Sequence, residues 1–343
     1  MAVTNADLHH PWADPPSEGT AVPVADGLFW TRVRLPFALD HVNLWLLADD
    51  DGWLAIDAGL NAQTVHAAWD ALAGAVLGGR PVTRVLVTHF HPDHMGAAGW
   101  LCGRWDAPLL MARTEYLQCR TIWGTGDAEV ADETRRWARR LDLPAEVCDR
   151  MAGRGNPYRP NLSPPPDRFV RVRGGDTLAV GGRRWTVMIG RGHAPEMVCL
   201  FDGQDRILIA ADQILPTITP NVSVWPQEPD ADPLGDFVES LGSFATLPAG
   251  TLVLPSHGLP FRGIASRIAR LTAHHAERLD TAEAACARPR TVGEVMGVLF
   301  PRPLDPHQTT FAAGETLAHL NRLAVLGRLR GSLRGDRLVF GPR

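Results

Sequence analysis

The chain contains no lysine: all 34 of its basic residues are arginine. Schiff-base catalysis and lysine nucleophiles are thereby excluded, since both need an amine that can lose its proton. Cysteine is also scarce. The five present, Cys102, Cys119, Cys148, Cys199 and Cys286, are odd in number and show no CxxC spacing. That suits a reducing compartment rather than a disulfide framework, and the five read as small core or surface residues. No segment approaches the roughly 20 apolar residues of a membrane span, so no membrane partner is expected. From Met1 to Gly19 the chain places acids, histidines and prolines where an export signal needs a positive start and an apolar run. A cytoplasmic location is the expectation. A strong charge of one sign is missing too: the formal charge is −4, which gives the whole chain no obligate polyanionic partner.

What is present is an ordinary globular composition, 45% hydrophobic and 21% charged over 343 residues. That length predicts one large domain, residues 20–260, and a smaller one, residues 261–343. Leu28–Arg34, His41–Leu47 and Gly52–Ile56 read as a strand meander, and Gln63–Val76 as a helix closed by Gly78-Gly79. Val82–Val87 is a compact β-branched run typical of a buried strand. Residues 114–167 form the least regular region, with helical patches and then Gly153, Gly155 and Pro164–Pro166, and read as a lid-like insertion over the active site. Tyr116, Trp123 and Tyr158 within it are expected to pack or stiffen the lid, with shaping the pocket or giving a proton to a leaving group as the alternative. Strand character returns at Phe169–Val172, Arg184–Ile189, Met197–Phe201, Arg206–Ala210 and Thr251–Leu254, which predicts two packed sheets with helices outside.

Beyond Phe261 the texture becomes helical through Cys286. Thr291-Val-Gly-Glu294 is a capping-box pattern, and Glu315–Leu326 an amphipathic helix with Leu317, Leu320 and Leu323 inward. Arg328–Phe340 reads as a hairpin turning at Arg334-Gly335-Asp336. Helices followed by a hairpin predict a winged-helix-like module.

The chemistry is concentrated in Val87-Thr-His89-Phe-His91-Pro-Asp93-His94-Met-Gly96. His89 and His91, one residue apart in a loop leaving a strand, can point at one metal, while Asp93 and His94 aim at a second. Four ligand-type residues within six positions are hard to reach by accident.

This segment resembles the signature of the metallo-β-lactamase-fold superfamily, in its glyoxalase II-like or lactonase-like branch, and further motifs match in order. They are Asp57 in Ile56-Asp-Ala-Gly59, His193 in Gly192-His-Ala-Pro195, Asp212 in Ala210-Ala-Asp212 and His257 in Pro255-Ser-His257-Gly258. The resemblance implies an α/β fold, an αββα sandwich, with two divalent metal ions. His89, His91 and His193 would bind the first, Asp93, His94 and His257 the second, and Asp212 would bridge them. Asp93 and Asp212 stand as the catalytic candidates, and Asp57 as the residue that orients a ligand or its loop. Zinc suits the histidine-rich set best, with iron or manganese as alternatives. His91 argues against the family's diiron oxidoreductases, which carry glutamate there.

The implied reaction is attack of a metal-bound hydroxide on a small-molecule ester, thioester or lactone. Two alternatives share the site: a nucleic-acid phosphodiesterase, and a mononuclear-iron enzyme resembling persulfide dioxygenases. Glu196 follows Pro195 where glyoxalase II-like and lactonase-like relatives usually carry glycine. From Leu259 onward there are 13 arginines against seven acids, yet the candidate reading helix offers only Glu315, His319 and Arg322 outward. Packing, homodimerisation or pocket closure is therefore preferred over nucleic-acid binding for the module.

Overall fold

The computed structural model describes residues 8–343, so residues 1–7 of the N-terminal stretch read above lie outside the described part. Strands β1 (Ala21–Ala25), β2 (Leu28–Arg34), β3 (His41–Ala48) and β4 (Trp53–Ile56) form an antiparallel meander. The sheet continues in parallel through β5 (Val82–Leu86), β6 (Leu109–Met111) and β7 (Val170–Arg171). Helix α1 (Gln63–Ala75) joins β4 to β5; α2 (Pro92–Met95) and α3 (Ala98–Trp105) join β5 to β6.

The connection from β6 to β7 is the insertion, and it is regular: α4 (Arg113–Gly124), α5 (Asp127–Arg140) and α6 (Ala145–Ala152). The helical patches of the sequence reading are thus three full helices, more regular than expected. Helix α5 buries only Ala138, so no apolar stripe announces it. Its ends are instead matched to the helix dipole, with Asp127 and Glu129 in the first turn and Arg139 and Arg140 in the last.

A second sheet holds β8 (Thr177–Val180), β9 (Arg183–Gly190), β10 (Met197–Asp202) and β11 (Ile207–Ala211) as antiparallel neighbours. After helix α7 (Pro233–Ala245), β12 (Leu252–Pro255) adds in parallel to β11. Period-two alternation of side chains builds the layers. In β3, Trp45 and Leu47 join the core between the sheets, while Val42, Leu44 and Leu46 face the layer of α1 and α3. In β11, Ile207 and Ile209 enter the same inter-sheet core, while Leu208 and Ala210 face α7 on the other side. The result is an αββα sandwich. Each buried leucine, isoleucine or valine among these contributes about 1.5–3 kcal/mol of burial free energy.

The C-terminal elements are α8 (Ile264–Ala285), β13 (Arg290–Thr291), α9 (Val292–Leu299), α10 (Pro306–Val325), β14 (Leu329–Arg334) and β15 (Arg337–Pro342). The capping box forms as expected, with Thr291 Oγ1 accepting from Glu294 N and Glu294 Oε2 accepting from Thr291 N at 2.8 Å. These elements share one continuous core with α7 and the outer face of the second sheet.

Helix α10 starts at Pro306, capped by Asp305, and buries Leu317, Leu320 and Leu323 as predicted. The outward placement of Glu315, His319 and Arg322 is corrected. His319 is fully buried, Glu315 and Arg322 are largely covered, and all three find internal partners. His319 Nδ1 donates to Glu315 O at 2.7 Å, and Arg322 pairs with Asp232 at 2.8 Å. The reason is that α10 packs against α7, α8 and α9 together, which leaves it no broad free face.

Candidate metal centre

Parallel strands bring their C-terminal ends to one edge of the sandwich, where loop side chains converge. Asp57 follows β4, His89 to His94 follow β5, Asp212 follows β11, and His257 follows β12, while His193 sits in the turn from β9 to β10. All seven predicted ligand residues meet there. The donor atoms of His89, His91 and His193 lie within 4.8 Å of one another, as do those of Asp93, His94 and His257. Asp212 stands between the two sets. Its Oδ2 is 3.4 Å from both His193 Nε2 and His257 Nε2, and its Oδ1 is 3.6 Å from His94 Nε2.

These separations are too long for strong hydrogen bonds. His94 Nε2, His193 Nε2, His257 Nε2 and Asp212 Oδ1 are buried and have no hydrogen-bond partner among the described residues. Leaving a buried polar atom unsatisfied costs about 1–3 kcal/mol, and four such atoms aimed at a common centre fit a cation-binding cluster. Imidazole and carboxylate donors in this number suit divalent transition ions.

The ligand-type histidines are oriented from behind, as such residues usually are. His94 Nδ1 donates to Asp57 Oδ2 at 2.8 Å. The same carboxylate accepts from Thr88 N and Thr88 Oγ1, and that hydroxyl lies 3.0 Å from His89 Nδ1. Asp57 thus touches two rings, one through Thr88, and it takes a left-handed φ of 63° to do so. His193 Nδ1 donates to the carbonyl of Asn221 at 2.7 Å, and His257 Nδ1 to that of His41 at 2.7 Å.

Sequence reading did not single out Thr88, Asn221 or His41 as parts of the site. His41 Nε2 accepts from Gly258 N at 2.8 Å, and the Asn43 amide donates to the carbonyls of Pro255 and Gly258, so β3 fixes the turn carrying His257. The Asn221 loop is fastened to α10, where Val224 N donates to Gly314 O at 3.1 Å and Asn221 Nδ2 to Glu315 Oε2 at 3.4 Å. The C-terminal elements therefore support the loop that orients His193.

Charge is divided within the cluster. Burial opposes ionisation of Asp93 and Asp212, yet His94 and His257 hold both carboxyls well below the usual carboxylate range. Burial would lower His257, but Asp212 and Asp93 push it up to about 10, and His94 is likewise raised by Asp93 and Asp57. His89 and His91 go the other way. Burial and the neighbouring rings lower His89 strongly and take His91 to about 3. Neutral imidazoles and ionised carboxylates are the forms a metal needs, and cations would replace the protons on His94 and His257.

The insertion's aromatic residues are occupied structurally. Tyr116 donates its hydroxyl to Pro166 O at 2.8 Å and stacks on Phe169, and Tyr158 donates to the carbonyl of Phe90. Trp123 packs at the margin of the first core. Glu115, also not singled out from sequence, is fully buried beside the first motif, and burial pushes its carboxyl up to about 7 against two backbone N–H donors.

Comparison with known proteins matches residues 38–257 to the metallo-beta-lactamase superfamily and residues 279–339 to the metallo-beta-lactamase-like C-terminal domain. A beta-lactamase domain protein from Burkholderia ambifaria is 40% identical over the whole of both chains, with a TM-score of 0.93. A metallo-beta-lactamase family protein from Thermus thermophilus is 28% identical, covering 94% of this chain and 100% of that one, with a TM-score of 0.80. Acyl-coenzyme A thioesterase MBLAC2 of Gallus gallus is 28% identical over 205 residues, 56% of this chain and 64% of that protein. The match thus spans less than two thirds of that relative's length. With its fold, its motifs and both family matches in agreement, the chain belongs to the metallo-beta-lactamase superfamily.

Proposed function

We propose that this protein hydrolyses a small acyl ester, a thioester in the first instance, with two divalent cations, zinc being the best match to its donors. The observation that carries the reading is Asp212 standing between two complete donor triads. The thioester class is supported by the similarity to a protein named as an acyl-coenzyme A thioesterase.

His89, His91 and His193 would hold one cation and Asp93, His94 and His257 the other, with Asp212 shared. Such a pair supplies a water of lowered pKa and stabilises the oxyanion that develops on the acyl carbonyl. The protein's own part is positional: Asp57, Thr88, Asn221 and His41 lock the rings from behind, while Asp93 keeps some exposure on the open side. A thiolate nucleophile is not at hand. All five cysteines are buried, and burial raises Cys119 and Cys286 to about 11.

We read α8, β13, α9, α10 and the β14–β15 hairpin as a winged-helix-like module that serves packing. Its would-be reading helix, α10, is buried, which counts against nucleic-acid binding. Of the hairpin arginines, Arg328 pairs with Asp280 and Glu283, and Arg337 with Asp142. The convergence of Asp93, His94 and His257 favours two metals over the single-iron alternative.

The test joins elemental analysis to a screen of thioesters, lactones, carboxyl esters and phosphodiesters. Two metals per chain are expected, with thioester cleavage abolished by a chelator and restored by zinc, and no RNA or DNA retained at physiological salt. One iron per chain, still retained in a His257→Ala variant, would sink this reading. Tight, steeply salt-dependent nucleic-acid binding that is lost on replacing Arg328, Arg330, Arg334 and Arg337 would instead promote the phosphodiesterase.

A further inference from the structure

The three histidines of the first triad come from two separate loops, and a single buried side chain from the insertion holds both. Phe90 lies between His89 and His91. Its N–H donates to Glu115 Oε2 at 3.0 Å, and its carbonyl accepts the Tyr158 hydroxyl. The other oxygen of Glu115, Oε1, accepts from Glu196 N at 2.6 Å, three residues beyond His193. Glu196 answers in kind, its Oε2 accepting from Thr114 N in the first turn of α4 at 2.9 Å. The first turn of α4 and the His193 loop therefore cap each other.

We propose that Glu115 is a positioning residue that sets the spacing between the His89–His91 loop and the His193 loop, and with it the affinity of the three-histidine position for a divalent cation. Tyr158 supports the same peptide from its carbonyl side. The inference rests on the two-cation reading above.

Geometry explains why the residue is a carboxylate. Each oxygen accepts one backbone N–H, so both must be acceptors at once. Glutamine would fill the same space but turn an NH₂ toward one of the two N–H donors, which drives that loop away. Glu115 has no exposed surface, so water cannot take over the lost bond. A metal position tolerates little such movement, because its donors must stay within about 0.5 Å of their productive geometry. The same contacts account for Glu196 in place of the usual glycine, since its side chain ties the motif loop to α4.

The experiment is a zinc titration of the full-length protein against a chromophoric chelator, with His193→Ala and His257→Ala variants assigning the two binding steps. For Glu115→Gln the three-histidine step should weaken by about 10–100-fold, the usual cost of losing an outer partner, while the other step stays within about threefold. Tyr158→Phe should weaken the same step to a smaller degree. Parental affinities in Glu115→Gln would overturn the proposal. So would equal weakening of both steps alongside a lowered melting temperature, which marks a general brace. Should Glu115→Gln not fold, Tyr158→Phe decides, selective weakening supporting the proposal and unchanged binding refuting it. A parent protein that binds one cation, at the three-histidine position, would defeat the two-cation reading alone, because the same comparison still judges Glu115.

Discussion

Replacing Asp212 with alanine is expected to strip both cations from the site and to lower turnover by more than about 100-fold, the upper end of what an outer-shell partner alone costs. The reason is its position. One carboxylate reaches His193 of the first triad at 3.4 Å, and His257 and His94 of the second at 3.4 and 3.6 Å. Without it, the positive charge that His94 and His257 favour keeps only Asp93 in front of both rings and Asp57 behind His94. Removing one partner of a buried charge cluster costs about 3–5 kcal/mol, so a lower denaturation midpoint should accompany the loss. His257→Ala is the contrast, since it touches only the second triad and should leave the first cation bound. Elemental analysis of the two variants beside kcat separates the cases. An Asp212→Ala protein that keeps two metals would show that the carboxylate bridges nothing.

The first motif was readable in the sequence because its donors are side chains packed into six consecutive positions, and the other motifs because each closes an apolar strand. Their partners were hidden for a physical reason. His193 and His257 are oriented by the backbone carbonyls of Asn221 and His41, and a carbonyl has no residue signature. Glu115 lies in a polar stretch where nothing local marks it as buried; only the fold brings Phe90 and Glu196 to it. The same division holds for the elements. β2, β3 and β11 announce themselves by their apolar patterning, whereas β1 is half-exposed and β6 has three residues, too few to display a period. Helix α5 was obscured by its charge. α10 misled differently: its polar residues read as a solvent face, but they bond to one another and to Asp232, Pro229 and Ala231 inside the assembled protein.

Gly192→Ala is the other change expected to act strongly, although it adds one methyl group and removes no donor. Gly192 precedes His193 at φ +93°, a region that L-residues enter at roughly 1–2 kcal/mol. A Cβ there would stand 2.4 Å from both Phe237 Cβ and Pro233 O, and 2.8 Å from Phe237 Cα, at the start of α7. Two of those three are backbone atoms with no rotamer to change, so the loop or the helix must move, at a further ~1–3 kcal/mol of overpacking. The loop is the weaker partner, because α7 is anchored by buried Leu234, Phe237, Leu241 and Phe244. Displacing it pulls His193 from Asn221 O and from its triad. The expected result is a stability loss of about 2–5 kcal/mol by the same two terms, with selective loss of the first cation. Gly78→Ala supplies the control: it shares a positive φ of 60° but would meet nothing within 4 Å, so it carries the backbone strain alone and should leave both cations bound. Equal metal content in the two variants would mean that the His193 loop absorbs the methyl without moving its ring, and that the close approach to α7 is not what holds the third histidine in place.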